Sequence, residues 1–302
     1  RSLNKGDDWA TISDDLTNGG KKGNVAYGTL TSISESPFQF GLLYVGSDDG
    51  FVHVSKNGGG SWAKISNLFP KDLWVSRVIA SSHKKERVYV TLNGYRFDDF
   101  TPYIYMSEDY GQTWKNIGDA IPTAAVNVIK EDPANENLLY IGTDNGLYVS
   151  FDKGTTWNSF SKNFPNVAVH DLVIQPTAKH LIVGTHGRSL YKADIAPLQQ
   201  MDVTVLVKPS HIFAINNIRK SSNWGRSWSQ WREVNIPEIK IPFYSNVDKK
   251  VTIDIYLEDI KVNSFSVEAD RGYNEMLFDV SFSEKGKKAF EKADKKMNLK
   301  EA

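Results

Sequence analysis

The sequence predicts an all-β chain: four-stranded blades of a β-propeller, then a partial β-sandwich and a short charged helix. Three observations carry this. A turn of the form S-x-D-x-G-x-T-W occurs at Ser107–Trp114 and Ser150–Trp157, with variant copies at Ser2–Trp9 and Ser55–Trp62 that carry Asn at the Asp position. The closing tryptophans, Trp9, Trp62, Trp114 and Trp157, are 53, 52 and 43 residues apart, and self-similarity at about 40–50 residues marks a propeller or solenoid. Finally, apolar or aromatic runs flank each turn, and alternation on both sides of a glycine-bearing turn reads as a β-hairpin.

The turn's residue types have a local explanation. An Asp or Asn early in a turn accepts hydrogen bonds from later backbone N–H groups. The glycine permits a positive φ, Thr or Ser adds a hydroxyl, and Trp covers the hairpin with an apolar face. The set Ser55, Asn57, Gly59, Trp62; Ser107, Asp109, Gly111, Thr113, Trp114; and Ser150, Asp152, Gly154, Thr156, Trp157 is therefore expected to be structural. A calcium loop shares the Asp-x-Asx-Gly flavour, but the later acidic ligands and terminal Glu are missing. No metal and no cofactor is expected.

In chain order, residues 1–12 complete a blade, and 13–23 form a polar, glycine-rich loop. The next unit holds Ser32–Ser34, Leu42–Ser47, Phe51–Val54 and Trp62–Ile65. A second follows with Val75–Ala80, Arg87–Thr91, the long loop Asn93–Thr101, Tyr103–Met106 and Trp114–Ile117. A third has Val126–Ile129, Leu138–Thr143, Leu147–Val149 and Trp157–Phe160. The last has His170–Ile174, His180–Thr185, the turn His186–Arg188 and Ser189–Tyr191, with Lys192–Asp194 in place of the repeated turn. Four short strands per unit make a propeller blade. About four blades are present, expected to be the C-terminal part of a larger propeller.

After Pro197 the period stops. The expected organisation is propeller over 1–196, a connecting segment over 197–245 and a partial sandwich with a charged helix over 246–302. Met201–Val207 reads as a new strand. Ser221–Trp228 fits the repeated turn formally but lacks the preceding apolar strand. With Arg219, Trp224, Arg226, Trp228, Trp231 and Arg232 it forms an aromatic–cationic cluster. Such a cluster can stack on sugars or nucleobases; packing between two domains is the favoured reading, because Trp is mostly buried. Residues 247–257, Val262–Val267 and Glu275–Val280 alternate as strands of a small antiparallel sandwich. Ser283–Leu299 has a thin apolar stripe (Phe290, Ala293, Met297) and reads as a solvated helix.

Lys plus Arg and Asp plus Glu balance at 36 each, so the chain lacks the basic surplus that a nucleic-acid partner requires. Cysteine is absent, which removes disulfides and thiol chemistry. No apolar run has transmembrane length. No signal peptide is present, and the natural chain is expected to extend N-terminally.

The repeated turns resemble the Asp-box, or bacterial neuraminidase, repeat. Leu138–Trp157, Phe97–Tyr105, Val183–Ser189 and residues 1–17 resemble the sortilin-like propeller family and its bacterial secreted relatives. Gly272–Val280 resembles the closing strand of Ig-like modules found in flagellar hook-cap proteins and appended to secreted bacterial enzymes. The resemblance implies an extracellular, cell-surface or periplasmic bacterial protein whose boxes lie at the blade periphery, away from the ligand. Relatives include sialidases, xyloglucanases, peptide-binding receptors and proteins of unknown role. Fold does not fix function.

Two functional readings follow. One is a binding protein that captures a glycan or a peptide at the channel face, with a surface-complex partner also in view. Its candidate residues are His170, His186, Arg188 and Arg96. The other is a polysaccharide-active glycoside hydrolase, which needs two carboxylates flanking the bond; Asp98, Asp99 and Asp171 are the candidates. Whether the chain is an enzyme stays open, leaning to binding. A sialidase would need three arginines beside a Tyr–Glu pair; Arg77, Arg96 and Arg188 are available but no such pair is assigned. His170, His186 and Asp171 lack metal-ligand spacing.

Overall fold

The computed structural model describes residues 1–19, 28–160, 164–215 and 221–298. The chain divides into two compact units, Arg1–Gln199 and Gln200–Ala302. The loop expected over 13–23 lies partly outside the described residues, as does Arg219, and the side chain of Met297 is not described.

The first unit is built of propeller blades. Blade 1 comprises β1 (Leu30–Glu35), β2 (Leu43–Ser47), β3 (Val52–Ser55) and β4 (Ala63–Lys64). Blade 2 has β5 (Trp74–Ala80), β6 (Val88–Gly94), β7 (Asp99–Ser107) and β8 (Lys115–Asn116). Blade 3 has β9 (Val126–Glu131), β10 (Leu139–Thr143), β11 (Gly146–Ser150) and β12 (Asn158–Ser159). Blade 4 has three strands, β13 (Val169–Gln175), β14 (His180–Thr185) and β15 (Leu190–Asp194). Every sheet is an antiparallel meander in chain order. Consecutive inner strands β1, β5, β9 and β13 are neighbours, so the blades stack in sequence.

Each inner strand carries a bulge at the same place. The pairing register skips Thr31, Ser76, Asn127 and His170 in turn. An extra residue there sharpens the local twist and turns its side chain out of the ladder. Thr31 donates to Val75 O at 2.7 Å and Ser76 donates to Val126 O at 2.8 Å, each in the next blade. The Asn127 Oδ1 accepts from Asn93 Nδ2 at 2.8 Å.

Apolar cores fill the spaces between blades. Tyr44, Val52, Val75, Val78 and Val90 bury one core, and Tyr89, Ile104, Val126, Ile129 and Ile141 the next. A polar seam crosses the second. Buried Glu131 of blade 3 accepts hydrogen bonds from Ser81 Oγ (2.8 Å), the Ser82 N–H (2.7 Å) and the Tyr89 hydroxyl (3.0 Å) of blade 2. Buried Arg87 reaches Glu108 at 2.7 Å, Glu136 at 3.1 Å and Glu131 at 3.4 Å. At the matching position of β3, β7 and β11, Val52, Ile104 and Leu147 are 0%, 0% and 2% exposed, whereas Leu190 of β15 is 74% exposed. Leu190 is therefore uncovered on the outward face of blade 4, which it shares with the exposed Lys192 and Asp194.

The repeated turns explain this stacking. In both full copies the Ser hydroxyl accepts the glycine N–H at 2.8 Å (Gly111 to Ser107, Gly154 to Ser150), and the Asp carboxylate accepts the Thr N–H at 2.8 Å (Thr113 to Asp109, Thr156 to Asp152). The variant copies keep the pattern. Ser61 N–H donates to Asn57 Oδ1 at 2.9 Å and Asp8 N–H to Asn4 Oδ1 at 3.0 Å. Asn4 Nδ2 then donates to the Asp8 carboxylate at 2.8 Å, so the acid has moved to the other end of the same bond. The expectation that Trp serves its own hairpin is corrected. Indole N–H groups of Trp62, Trp114 and Trp157 donate to the carbonyls of Ile12, Ile65 and Ile117, at 2.8, 2.9 and 2.7 Å, in the preceding repeat. A side chain at Gly59, Gly111 or Gly154 would collide with those same isoleucines. The turn is a clasp between blades.

The C-terminal unit has a three-stranded sheet, β16 (Ser210–Ile212), β17 (Ile239–Ser245) and β20 (Gly272–Phe278), and a hairpin, β18 (Lys249–Leu257) with β19 (Ile260–Ala269). Ile241, Phe243, Ile253, Ala269, Met276 and Phe278 form one core from both. Two short helices, α1 (Ala196–Gln199) and α2 (Val203–Leu206), follow blade 4 in the chain. Two expectations change here, and the formal match at Ser221–Trp228 is resolved. Met201–Val207 holds α2 and no strand, because Asp202 Oδ1 accepts the N–H groups of Thr204 (2.8 Å) and Val205 (3.0 Å) and caps a helical turn. The segment 197–245 is more than a connection: β16 and β17 belong to this unit. Finally, Ser221–Trp228 does not repeat the clasp, since the Gly225 N–H bonds to Asn235 O at 2.9 Å. Helix α3 (Glu284–Asn298) is capped by Ser283, whose Oγ accepts the Gly286 N–H at 3.0 Å, and is docked on β19 through Ser283 and Gly286 at Val262.

Candidate functional site

The strand order fixes which residues share a rim. Inner strands begin, second strands end and third strands begin at one end of each blade. The β6–β7 loop, the turn between β14 and β15, and the starts of β5 and β13 therefore lie at that end. The clasps lie at the other, between third and fourth strands.

Blade 2 contributes the largest feature. Its β6–β7 loop forms a 3-10 turn at Tyr95–Phe97 and closes with Asp98 in a left-handed conformation, φ 55°. Asn93 Oδ1 accepts the Tyr95 N–H at 2.9 Å and starts the turn. Asp99 ends it: its carboxylate accepts the Thr101 N–H at 3.0 Å and the Tyr103 hydroxyl at 2.9 Å. Burial alone raises the Asp99 carboxyl, but the hydrogen bonds from Thr101 and Tyr103 prevail and hold it below the ordinary carboxylate range. Three rings stand on this frame, Tyr95, Phe97 and Phe100, 61%, 57% and 38% exposed. Tyr95 and Phe100 meet edge-on at 6.1 Å. The Arg96 guanidinium lies 5.4 Å from the centroid of Trp74, at the start of β5, a cation–π arrangement.

Blade 4 contributes the second feature. His170 sits in the β13 bulge and His186 follows β14; their rings are 5.3 Å apart, and both are exposed. Asp171, also exposed, pairs with Arg77 of β5 at 2.8 Å, so side chains from the inner strands of blades 2 and 4 reach each other across blade 3. Arg188 is exposed in the β14–β15 turn. Among the described residues no group of three or more His, Asp and Glu can hold a metal ion.

The sequence-predicted residues thus fall into two sets. His170, Asp171, His186 and Arg188 gather on blade 4, and Arg96, Asp98 and Asp99 on blade 2. Asp171 is committed to Arg77, and Asp99 to Thr101 and Tyr103. Arg77 and Arg96 are likewise engaged, with Asp171 and Trp74. Sequence reasoning named the 93–101 loop but passed over Tyr95, Phe97 and Phe100. The available signal was three aromatics within six residues of an otherwise polar loop.

The family model described as "Sortilin, neurotensin receptor 3" matches residues 102–253, half of the chain. The chain belongs to the Sortilin-Vps10 family. The match runs from β7 into β18, across both units. No curated protein matches. Solved structures similar in fold include a GH74 xyloglucanase from Xanthomonas campestris (12% identity, TM-score 0.46, 82% of this chain and 38% of that one). An ancestral GH74 enzyme is similar at 14% identity and TM-score 0.47, over 82% of this chain and 33% of that one. The β-propeller domain of Myceliophteria thermophila Cps50 (Swd1) aligns at 15% identity and TM-score 0.46, covering 58% and 54%. The chain spans 38% and 33% of the two GH74 enzymes. No helix among the described residues is long and apolar enough to cross a membrane.

Proposed function

We propose that this Sortilin-Vps10 family chain is a binding protein that captures a glycan or peptide at the rim bearing the 95–100 loop and the 186–188 turn. One observation carries the reading: three exposed aromatic rings and Arg96 are mounted on a turn whose backbone is fixed by Asn93 and Asp99. Exposed aromatics on a rigid frame give contact area at low entropic cost, and His170, His186 and Arg188 of blade 4 add hydrogen-bond donors at the same end of the blades. The repeated clasps are Asp-boxes in this reading, the C-terminal unit is an Ig-like module, and the protein acts at the bacterial surface, outside the cell or in the periplasm. Membership of the Sortilin-Vps10 family supports that placement.

The hydrolase alternative requires two free carboxylates facing a bond. Asp99 and Asp171 are engaged by Tyr103 and Arg77, which favours binding. The test is retention on glycan and peptide arrays by the wild type and by Arg96→Ala/Phe97→Ala. Retention weakened roughly tenfold in the variant is expected, since buried aromatic and Arg contacts dominate interfaces. No retention of any ligand refutes the proposal, and release of reducing ends from xyloglucan establishes the alternative.

A further inference from the structure

The bulge residue of the inner strand is tied into the blade stack in three blades and not in the fourth. Thr31 and Ser76 donate to carbonyls of the next blade, and Asn127 bonds Asn93 and Asp144. His170 occupies the same bulge of β13. Its ring lies 5.3 Å, centre to centre, from that of His186, with the two planes 40° apart. Both residues are exposed, and neither imidazole makes a hydrogen bond or ion pair with another described residue. Their backbones are fixed. Val169 pairs with Thr185, and the His186 N–H donates to Ala168 O at 2.9 Å. The Thr185 hydroxyl closes the turn after His186 by donating to Ser189 O at 2.6 Å, with Gly187 at φ 71°. The two histidines are therefore diagonal neighbours across a hairpin end, within reach of each other, and the bulge re-aims His170 towards its partner.

The spacing of the rings has a chemical meaning. A tetrahedral zinc-type ion sits about 2.0–2.1 Å from each imidazole nitrogen, hence about 3.2 Å from each ring centre, which sets the two centres about 5.2 Å apart. The 5.3 Å between His170 and His186 matches that separation. Imidazole suits zinc, copper and nickel, whereas calcium and magnesium take oxygen ligands. We propose that His170 and His186 form a two-histidine site for a divalent transition-metal ion at the loop end of blade 4. Asp171 stays outside it, paired with Arg77. Two protein ligands are fewer than the three or four of a resident zinc centre, so the ion is exchangeable, and its other positions are open to water or to an oxygen of a molecule at the rim. The site stands on the two rings, whether or not the rim captures a glycan or peptide. The expectation of no metal rested on spacing along the chain, and these ligands meet across β13 and β14.

The test titrates zinc, copper and nickel salts into the whole chain by isothermal calorimetry and reads bound copper(II) by electron paramagnetic resonance. One ion per chain is expected, with two nitrogen ligands in the copper spectrum. His170→Ala and His186→Ala should each weaken binding roughly tenfold or more, because either change removes the second point of attachment of a chelate. His180→Ala, at the other end of β14, should leave affinity and stoichiometry as they are. Both ligand positions are exposed, so circular dichroism of the variants should match the wild type. The proposal is overturned if none of the three ions binds, if His170→Ala/His186→Ala binds as tightly as the wild type, or if the wild-type copper spectrum shows a single nitrogen.

Discussion

Replacing Trp157 by Phe should destabilise the propeller unit, and replacing Trp9 by Phe should not. Both tryptophans close the same repeated turn. The indole N–H of Trp157 reaches the carbonyl of Ile117 at 2.7 Å, 40 residues earlier, and Ile117 is 3% exposed. Phenylalanine keeps the apolar face but leaves that carbonyl without its donor. An unsatisfied buried backbone group costs about 1–3 kcal/mol, and 2 kcal/mol is the working figure. The indole N–H of Trp9 goes instead to Gly6 O, inside its own turn, and Trp9 is 76% exposed. Exposed substitutions of this kind stay within about 0.5 kcal/mol. With a urea slope of about 2 kcal/mol per molar, the midpoint should fall by about 1 M for Trp157→Phe and by under about 0.3 M for Trp9→Phe. Urea titrations followed by far-UV circular dichroism read both. Equal shifts would refute the clasp and return Trp to a purely local role.

Two further outcomes follow from the polar groups. Arg87→Met leaves the buried carboxylate of Glu131 without its cation while its bonds from Ser81, Ser82 and Tyr89 remain, and breaking a buried pair costs about 3–5 kcal/mol; Arg87→Met/Glu131→Gln should recover part of it, and a single variant as stable as wild type refutes the assignment. For Asp109, burial pushes the carboxyl up, but hydrogen bonds from Thr113, Ser107 and Gln112 outweigh this and bring it from 3.8 to about 2. A depressed carboxyl stabilises fully above its ordinary pKa, and the contribution is lost as pH falls through about 2. Thr113→Val removes the 2.6 Å hydroxyl bond. It should move the Asp109 midpoint upward in a carbon-detected NMR titration, and an unmoved midpoint would show that the hydroxyl does not set it.

Much of the first unit was legible because its code is local. Alternation around Phe51–Val54 or Leu147–Val149 depends only on the two-residue strand period, and the Ser–Asp–Gly–Thr bonds close within five residues. The C-terminal unit was less legible for equally local reasons. Asp202 capped a helix where Met201–Val207 read as a strand, and β17 contains Pro242, a residue uncommon within strands. The rim was partly legible: length marked the 93–101 loop, but nothing in its spacing showed that Asp99 fixes the turn or that Arg96 lies over Trp74.

The sequence by itself determined the blades, their order and the end of each blade at which loops and repeated turns lie, since meander topology follows from strand alternation and short connections. Tertiary structure alone decided what the repeated turn is for. Its glycine leaves room for an isoleucine of the blade before it, and its indole N–H finds that isoleucine's carbonyl. Partners 40 or more residues apart are brought together by stacking, and no local pattern encodes which backbone group a side chain will meet there. The same holds for Asp171, whose neighbour in space is Arg77, two blades away.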